Sequence, residues 1–244
     1  MLSDVAVAGR AARAASDVLL KLRTAGLEGR PLGDAGDAAA QEAILAVLTA
    51  ERPGDVVFSE EAADDRRRLT ADRVWIVDPL DGTREYGDPD RHDWAVHVAL
   101  WSAGELTAAA VALPALGEVF LTEPAPAPPA GSGAVRIAVS RSRPPTIASS
   151  VAETLGAELV ALGSAGYKTL AVVRGEVDAY VHAGGMYQWD SAAPVAVARA
   201  AGLTTCRLDG SPLVYNAPEP WLPDLVVCRP ELADPILAVV RSSS

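Results

Sequence analysis

Apolar and polar positions interleave with helical spacing over residues 3–25, an amphipathic, Ala-rich stretch that ends near Gly26. A second helix is expected over 37–50. There Ile44, Leu45 and Leu48 form an apolar stripe, and Asp37 stands where an N-cap would. Pro53-Gly54 marks a turn, and the run Val56-Val57-Phe58 reads as a short buried strand. The charged stretch Asp64 to Arg68 reads as a solvated loop or helix face. Val74-Trp75-Ile76-Val77 is a second buried strand, ended by Asp78-Pro79. Further strands are expected over 94–101, 106–113 and 118–122, the last two as a pair.

Residues 123–133, EPAPAPPAGSG, have the Pro, Ala and Gly content of a linker or exposed loop. The boundary between two halves is expected here. Residues 1–133 form an N-terminal α+β half, and residues 134–244 form a C-terminal half. In the second half strands and helices alternate: strand 135–139, helix 145–155, strand 158–161, helix 166–174, strand 177–182, helix 191–201 and strand 204–207. That alternation predicts an α/β layer. Asp209-Gly210 is a turn signal, and a last strand over 224–228 precedes a closing helix.

Composition narrows the function classes. Half of the 244 residues are hydrophobic, so a sizeable core is expected. Net charge is −11, and no stretch is basic enough to track a phosphate backbone, which argues against a nucleic acid polymer as partner. No apolar run reaches the length of about 18 residues that a membrane span requires, so no membrane association is expected. The N-terminus lacks the apolar core and cleavage site of a signal peptide. With only Cys206 and Cys228, a reducing cytoplasm is the simplest setting.

The sharpest chemical signal is Trp75-Ile76-Val77-Asp78-Pro79-Leu80-Asp81-Gly82-Thr83. A hydrophobic strand delivers two acids at its end, with Pro79 stiffening the turn between them. Gly82 permits close backbone approach, and Thr83 supplies a hydroxyl at an expected helix start. Two carboxylates about 4 Å apart repel by roughly 4 kcal/mol at an effective dielectric near 20. A hard cation such as Mg²⁺ or Mn²⁺ would offset that. The plainer alternative is an Asp-Pro turn followed by an Asp N-cap. Glu60 follows the strand 56–58, and Asp190 directly precedes the Ala-rich helix 191–201. Taken singly, Glu60 reads as a surface acid and Asp190 as a helix cap.

Together, DPLDGT, the upstream SEE and the downstream WDSAAP resemble the three signature blocks of the inositol-monophosphatase superfamily. The resemblance covers nearly the whole chain. It implies a layered αβαβα sandwich of the sugar-phosphatase type, two or three Mg²⁺ ions with Mn²⁺ as a substitute, inhibition by Li⁺, and hydrolysis of a phosphate monoester. By that resemblance Glu60, Asp78 and the Leu80 carbonyl would ligate one ion, and Asp78, Asp81 and Asp190 a second. Thr83 and Glu60 would position the attacking water, and the Gly82 and Thr83 backbone N–H groups would grip the phosphate. Asp37 resembles the acid that orients the threonine, with an ordinary N-cap as the alternative. Most metal ligands thus fall in the first half, and Asp190 in the second.

Thr83-Arg84-Glu85-Tyr86 and the strand Trp94 to Leu100 resemble the CysQ-type 3'(2'),5'-bisphosphate nucleotidase branch. So do Ser140-Arg141-Ser142 and the loop Gly163-Ser164-Ala165-Gly166-Tyr167-Lys168. These would bind substrate through Arg84, Ser140, Arg141, Gly163, Ser164 and Lys168. The alternatives are a surface charge for Arg84, a helix cap for Ser140-Arg141-Ser142 and a solvated helix residue for Lys168. His182, before a Gly184-Gly185 loop, reads as a satisfied histidine with an approach to the nucleotide as the alternative, His97 as structural and His92 as exposed. The implied reaction converts 3'-phosphoadenosine 5'-phosphate to AMP and phosphate, in support of sulfur assimilation. Inositol monophosphatase or fructose-1,6-bisphosphatase activity is the alternative within the same chemistry. A silent metal and phosphate binder is the alternative of another class. A homodimer is compatible with this family. The segment 29–37 departs from its pattern, being shorter and lacking a threonine, which puts a mobile loop and a third ion in question.

Overall fold

The computed structural model describes residues 2–127, 131 and 133–243. Two long helices, α1 (Asp4–Arg23) and α2 (Gly29–Glu51), form one outer layer. The first sheet has the order β1 (Val56–Ser59), β2 (Arg73–Asp81), β3 (Ala95–Ser102), β4 (Glu105–Leu113) and β5 (Glu118–Leu121). β1 and β2 are parallel and the other pairs antiparallel. A single helical turn, α3 (Thr83–Tyr86), follows β2. The second sheet is built from β6 (Arg136–Ser140), β7 (Glu158–Leu162), β8 (Ala179–Tyr187), β9 (Thr204–Cys206) and β10 (Trp221–Cys228), in the order β7-β6-β8-β10-β9. α4 (Thr146–Leu155) and α7 (Ala233–Ser242) cover its outer face, while α5 (Ala165–Val173) and α6 (Gln188–Ala200) lie between the sheets.

Side-chain alternation produces these layers. In β2, Trp75 and Val77 join an outer core with Ala8, Leu19 and Ile44 of α1 and α2. Val74 and Ile76 point the other way and pack with Ala192 and Val195 of α6. A strand covered by helices on both faces is apolar throughout, so β2 shows a continuous run and no alternation with polar residues. In the second sheet Tyr180 and Val227 face the central helices, and Val181 and Val226 meet Val151 and Ile236 of α4 and α7. The expected αβαβα sandwich is the observed one. The stretch 123–133, expected as a linker, lies partly outside the described residues.

The pattern misplaced several boundaries. α2 starts at Gly29, so Asp37 sits about two turns inside the helix and caps nothing. Pro31 falls in the first turn, where no backbone donor is needed. Asp190 is the third residue of α6, and β8 runs on to Tyr187 through Gly184 and Gly185 with no intervening loop. Arg68 was expected in solvent and is fully buried. Its guanidinium lies 4.0 Å from the Phe58 ring centroid and donates to Asp64, to Asn216 Oδ1 and to the Ala217 and Pro218 carbonyls. Those partners satisfy the buried charge.

Candidate active site

Parity along β2 sets the first acid. Asp78 continues the series of Val74 and Ile76, so its carboxylate enters the central helical layer and is completely buried. The pairing with β3 then slips between Asp78 and Asp81, as expected for a strand interrupted by Pro79. That irregularity brings Asp81 into the same layer. Gly82 closes the turn at φ +92, and a Cβ there would come within 3.3 Å of Trp94. Only glycine combines that conformation with that approach.

Asp190 arrives from the first turn of α6. Its Oδ2 accepts the Tyr187 N–H at 2.7 Å, in a capping box. One oxygen from each of Asp78, Asp81 and Asp190 lies within 4.8 Å of the other two. Glu60, just beyond β1, is solvent-exposed and feels the charges of the cluster from outside it. Burial pushes Asp78 well above the usual carboxylate range, helped by the charges of Asp81, Glu60 and Asp190. Asp190 is pushed up to about 8 by burial and then by Asp81. Glu60 rises to about 7 through partial desolvation and then Asp81 and Glu61. Asp37, across from Thr83, rises to about 7 through burial, Glu61 and Glu60. Asp78 Oδ1 accepts the Leu80 N–H at 3.0 Å, but its Oδ2 is buried without a hydrogen-bond partner among the described residues. Buried carboxylates without a matching cation among themselves fit a set of hard oxygen donors for a divalent ion.

Asp81 and Asp190 line a cavity of about 340 Å³. Its floor is the turn Gly82-Thr83, where the Thr83 hydroxyl donates to the Leu80 carbonyl at 3.2 Å. The same lining carries cations. Arg84 is exposed at the rim, and Arg141 is paired with Glu85 at 2.8 Å. Lys168, expected either at the substrate or in solvent, is buried. Its Nζ donates to the Gly163 and Ser164 carbonyls at 2.6 and 2.9 Å, and burial lowers its pKa to about 8. Ser164 holds a φ of +24 and donates its hydroxyl to Asp81 Oδ2 at 2.5 Å, so the Gly163-Ser164 turn is anchored to the acids. Ser140 accepts the Arg143 N–H at 3.3 Å.

Sequence reasoning did not assign Tyr180 or Met186 to this cavity, yet both line it, as does Arg143, which stands where many relatives carry a histidine at the nucleotide contact. His182 lines it as well. Its Nε2 lies 2.9 Å from the Gly185 carbonyl, and its Nδ1 has no partner among the described residues. The shared parity of Tyr180 and His182 on β8 was the available signal, but an expected loop at Gly184-Gly185 obscured it. His97, expected as structural, lies fully buried directly behind the acids. Burial lowers its pKa against the pull of Asp81.

Comparison with known proteins agrees with this geometry. The family model for the inositol monophosphatase family matches residues 6–243. The 3'-phosphoadenosine 5'-phosphate phosphatase of Mycobacterium leprae (strain TN) is 52% identical over 255 aligned residues, which span 98% of this chain and 94% of that protein. The protein of the same name from Mycobacterium tuberculosis (strain CDC 1551 / Oshkosh) is 54% identical over 221 residues, 87% of this chain and 83% of that one. The solved structure of CysQ from Bacteroides thetaiotaomicron is similar at a TM-score of 0.79 and 25% identity, over 93% of this chain and 97% of that chain. With the signature acids, the layered fold and a match along almost its whole length, the chain belongs to the inositol monophosphatase family.

Proposed function

We propose that this chain is a Mg²⁺-dependent 3'(2'),5'-bisphosphate nucleotidase that converts 3'-phosphoadenosine 5'-phosphate to AMP and phosphate. The observation that carries this reading is the polarity of one cavity. Its lining combines the acids Asp81, Glu85 and Asp190 with the cations Arg84, Arg141, Arg143 and Lys168. A substrate with two separated phosphates suits such a cavity, because one group meets the metal-holding acids while the other meets fixed cations. The names of the mycobacterial relatives support the same substrate.

In this reading Glu60, Asp78 and the Leu80 carbonyl hold one ion, and Asp78, Asp81 and Asp190 hold a second. Mg²⁺, or Mn²⁺ in its place, supplies the charge that polarises the phosphoryl oxygens, acidifies water and neutralises the leaving oxygen. The chain's own groups do the positioning. The Thr83 hydroxyl and the Glu60 carboxylate orient the attacking water, and Asp37 steadies Thr83. The Gly82 and Thr83 N–H groups receive the phosphoryl oxygens. Arg84, Ser140 and Arg141 face the second phosphate, while Lys168 holds the Gly163-Ser164 turn that contributes to substrate binding beside the acids. In-line displacement at phosphorus needs alignment more than covalent chemistry, so no nucleophilic side chain is required. Residues 1–133 thus supply Glu60, Asp78 and Asp81, and residues 134–244 supply Asp190 and most of the cations. Cys206 and Cys228 are both free and buried, in keeping with a reducing cytoplasm.

The test is kcat/KM in Mg²⁺ for 3'-phosphoadenosine 5'-phosphate, inositol 1-phosphate and fructose 1,6-bisphosphate. The bisphosphate nucleotide should be preferred over inositol 1-phosphate by about ten- to hundredfold, the value of one charge-assisted contact to its second phosphate. A preference for inositol phosphate would overturn the nucleotidase reading and leave the metal chemistry standing. No turnover of any of the three would favour a silent phosphate binder.

A further inference from the structure

We propose that His97 is a positioning residue that ties the start of α6 to the acids of β2 and so sets the spacing of the metal-holding cluster. The role rests on the metal-holding reading of Asp78, Asp81 and Asp190 given above.

His97 lies in the middle of β3, directly opposite Asp78 in the strand register. It shares the parity of Ala95 and Ala99, whose side chains join the central core. Its ring therefore enters the helical layer at the level where α5 and α6 begin. The residue is fully buried. Nδ1 lies 3.1 Å from the Trp189 carbonyl. A carbonyl only accepts, so Nδ1 carries the proton and donates. Nε2 is turned toward Asp81 Oδ2 at 3.4 Å, and Nδ1 also stands 3.9 Å from Asp78 Oδ2. Both His97 Nε2 and Asp78 Oδ2 lack a hydrogen-bond partner among the described residues. A core designed for stability alone would not keep two such atoms side by side.

Two further observations make the contact specific. Asp190 is the next residue after Trp189, so a bond to the Trp189 carbonyl fixes the point from which Asp190 projects. Among the described residues no hydrogen bond links Asp190 to Asp78 or Asp81. The imidazole is what touches both sides. Gly166 adds the second observation. Its N–H donates to Asp81 Oδ2 at 2.6 Å, and a Cβ at this position would fall 1.9 Å from His97 Nε2. The missing side chain leaves room for the ring, so that the first turn of α5 and the imidazole converge on one carboxylate oxygen. Groups that hold a ligand's orientation typically change metal affinity by about ten- to hundredfold when removed.

The experiment compares the intact protein with His97→Asn, His97→Gln and His97→Leu. Asparagine places its amide nitrogen near Nδ1 and can keep the bond to Trp189. Glutamine reaches the place of Nε2 and fills the space beside Asp81, with an amide donor where the Nδ1-protonated ring has none. Mg²⁺ affinity is read by titration calorimetry and by the Mg²⁺-dependent rise in melting temperature. KM for substrate at saturating Mg²⁺ is read alongside. His97→Leu should weaken Mg²⁺ binding about ten- to hundredfold while KM changes little, and each amide variant should recover part of the loss. If the leucine variant does not fold, the two amide variants still decide the matter. A lower melting temperature with unchanged Mg²⁺ affinity in every folded variant would reduce His97 to core filling and overturn the proposal. A wild-type protein that binds no Mg²⁺ would remove the metal reading itself, a separate failure visible before any variant is made.

Discussion

Replacing Asp78 with asparagine should stabilise the metal-free protein while abolishing turnover and the response to Mg²⁺. The substitution keeps the shape and the one hydrogen bond that Asp78 makes, because an amide oxygen can accept the Leu80 N–H as Oδ1 does at 3.0 Å. The amide NH₂ then takes the place of the partnerless Oδ2 and can donate to a neighbouring carboxylate. What disappears is one charge. The three aspartates approach within 4.8 Å, and unit charges at that distance repel by about 3.5 kcal/mol at an effective dielectric near 20. Protons already relieve part of this at neutral pH, since Asp190 is pushed up to about 8 and Glu60 to about 7. The gain should therefore be about 1–3 kcal/mol at pH 8 and smaller at pH 6.

The sign follows from proton counting. An acid whose folded pKa is raised keeps a proton that the unfolded chain has released. Wild-type stability in chelator should then fall as pH climbs from about 4 toward 8, at up to about 1.4 kcal/mol per pH unit for each such proton. The penalty is absent below the unfolded carboxylate range and complete above the folded values. Melting temperatures of both proteins at pH 6, 7 and 8, in chelator and in Mg²⁺, measure this directly. At this chain length 1 kcal/mol moves the midpoint by about 2–4 °C. Mg²⁺ at ten times its dissociation constant should add about 1.4 kcal/mol to the wild type and nothing to the variant. An asparagine variant that melts below the wild type in chelator, or that gains as much from Mg²⁺, would refute the account of the cluster.

Li⁺ should slow turnover by occupying the position bounded by Asp78, Asp81 and Asp190. Unchanged steady-state rates in Li⁺ well above the Mg²⁺ concentration would count against that position. Lys168→Ala should lower stability by about 1–3 kcal/mol and reduce kcat/KM on mono- and bisphosphate alike, because the ammonium holds the Gly163 and Ser164 carbonyls. A loss confined to the bisphosphate would instead place Lys168 at the second phosphate, as its motif suggests.

The acids were legible because their signal is local. A strand delivers Asp78 and Asp81 within four residues, and a helix start delivers Asp190, so the chain order already states the chemistry. The layered sandwich followed from the family resemblance that those same acids carry. The environment of the cations was not. Arg68 read as a solvated charge and Lys168 as a substrate contact with a solvated helix residue as the alternative, yet both are buried because backbone carbonyls accept from them. For Arg68 those carbonyls come from residues 217 and 218 of the other half of the chain, and periodicity around Arg68 carries no trace of them. His97 illustrates the same limit. Its place on an alternating strand made it structural in outline, but the atoms it faces come from two other elements, β2 and α6.

The segment 29–37 shows how one residue type can carry opposite meanings. Its glycines, with Pro31, argue for a loop by local propensity, and a helix starting at Asp37 follows from that reading. The structure continues α2 back to Gly29, at a cost of roughly 0.5–1 kcal/mol per glycine in helix propensity. Packing offsets that cost. A Cβ on Gly33 would stand 2.6 Å from Thr83 Cγ2, and one on Gly36 would stand 2.6 Å from Tyr86 Cε1 and 3.0 Å from Leu80 Cδ2. These glycines are therefore the surface on which α2 settles against the turn Leu80 to Tyr86. Alanine at either position would improve the helix locally and lift it from that turn. Asp37, carried on the same helix, would withdraw from Thr83, so the residues that weaken α2 as a helix are the ones that bring its acid to the site.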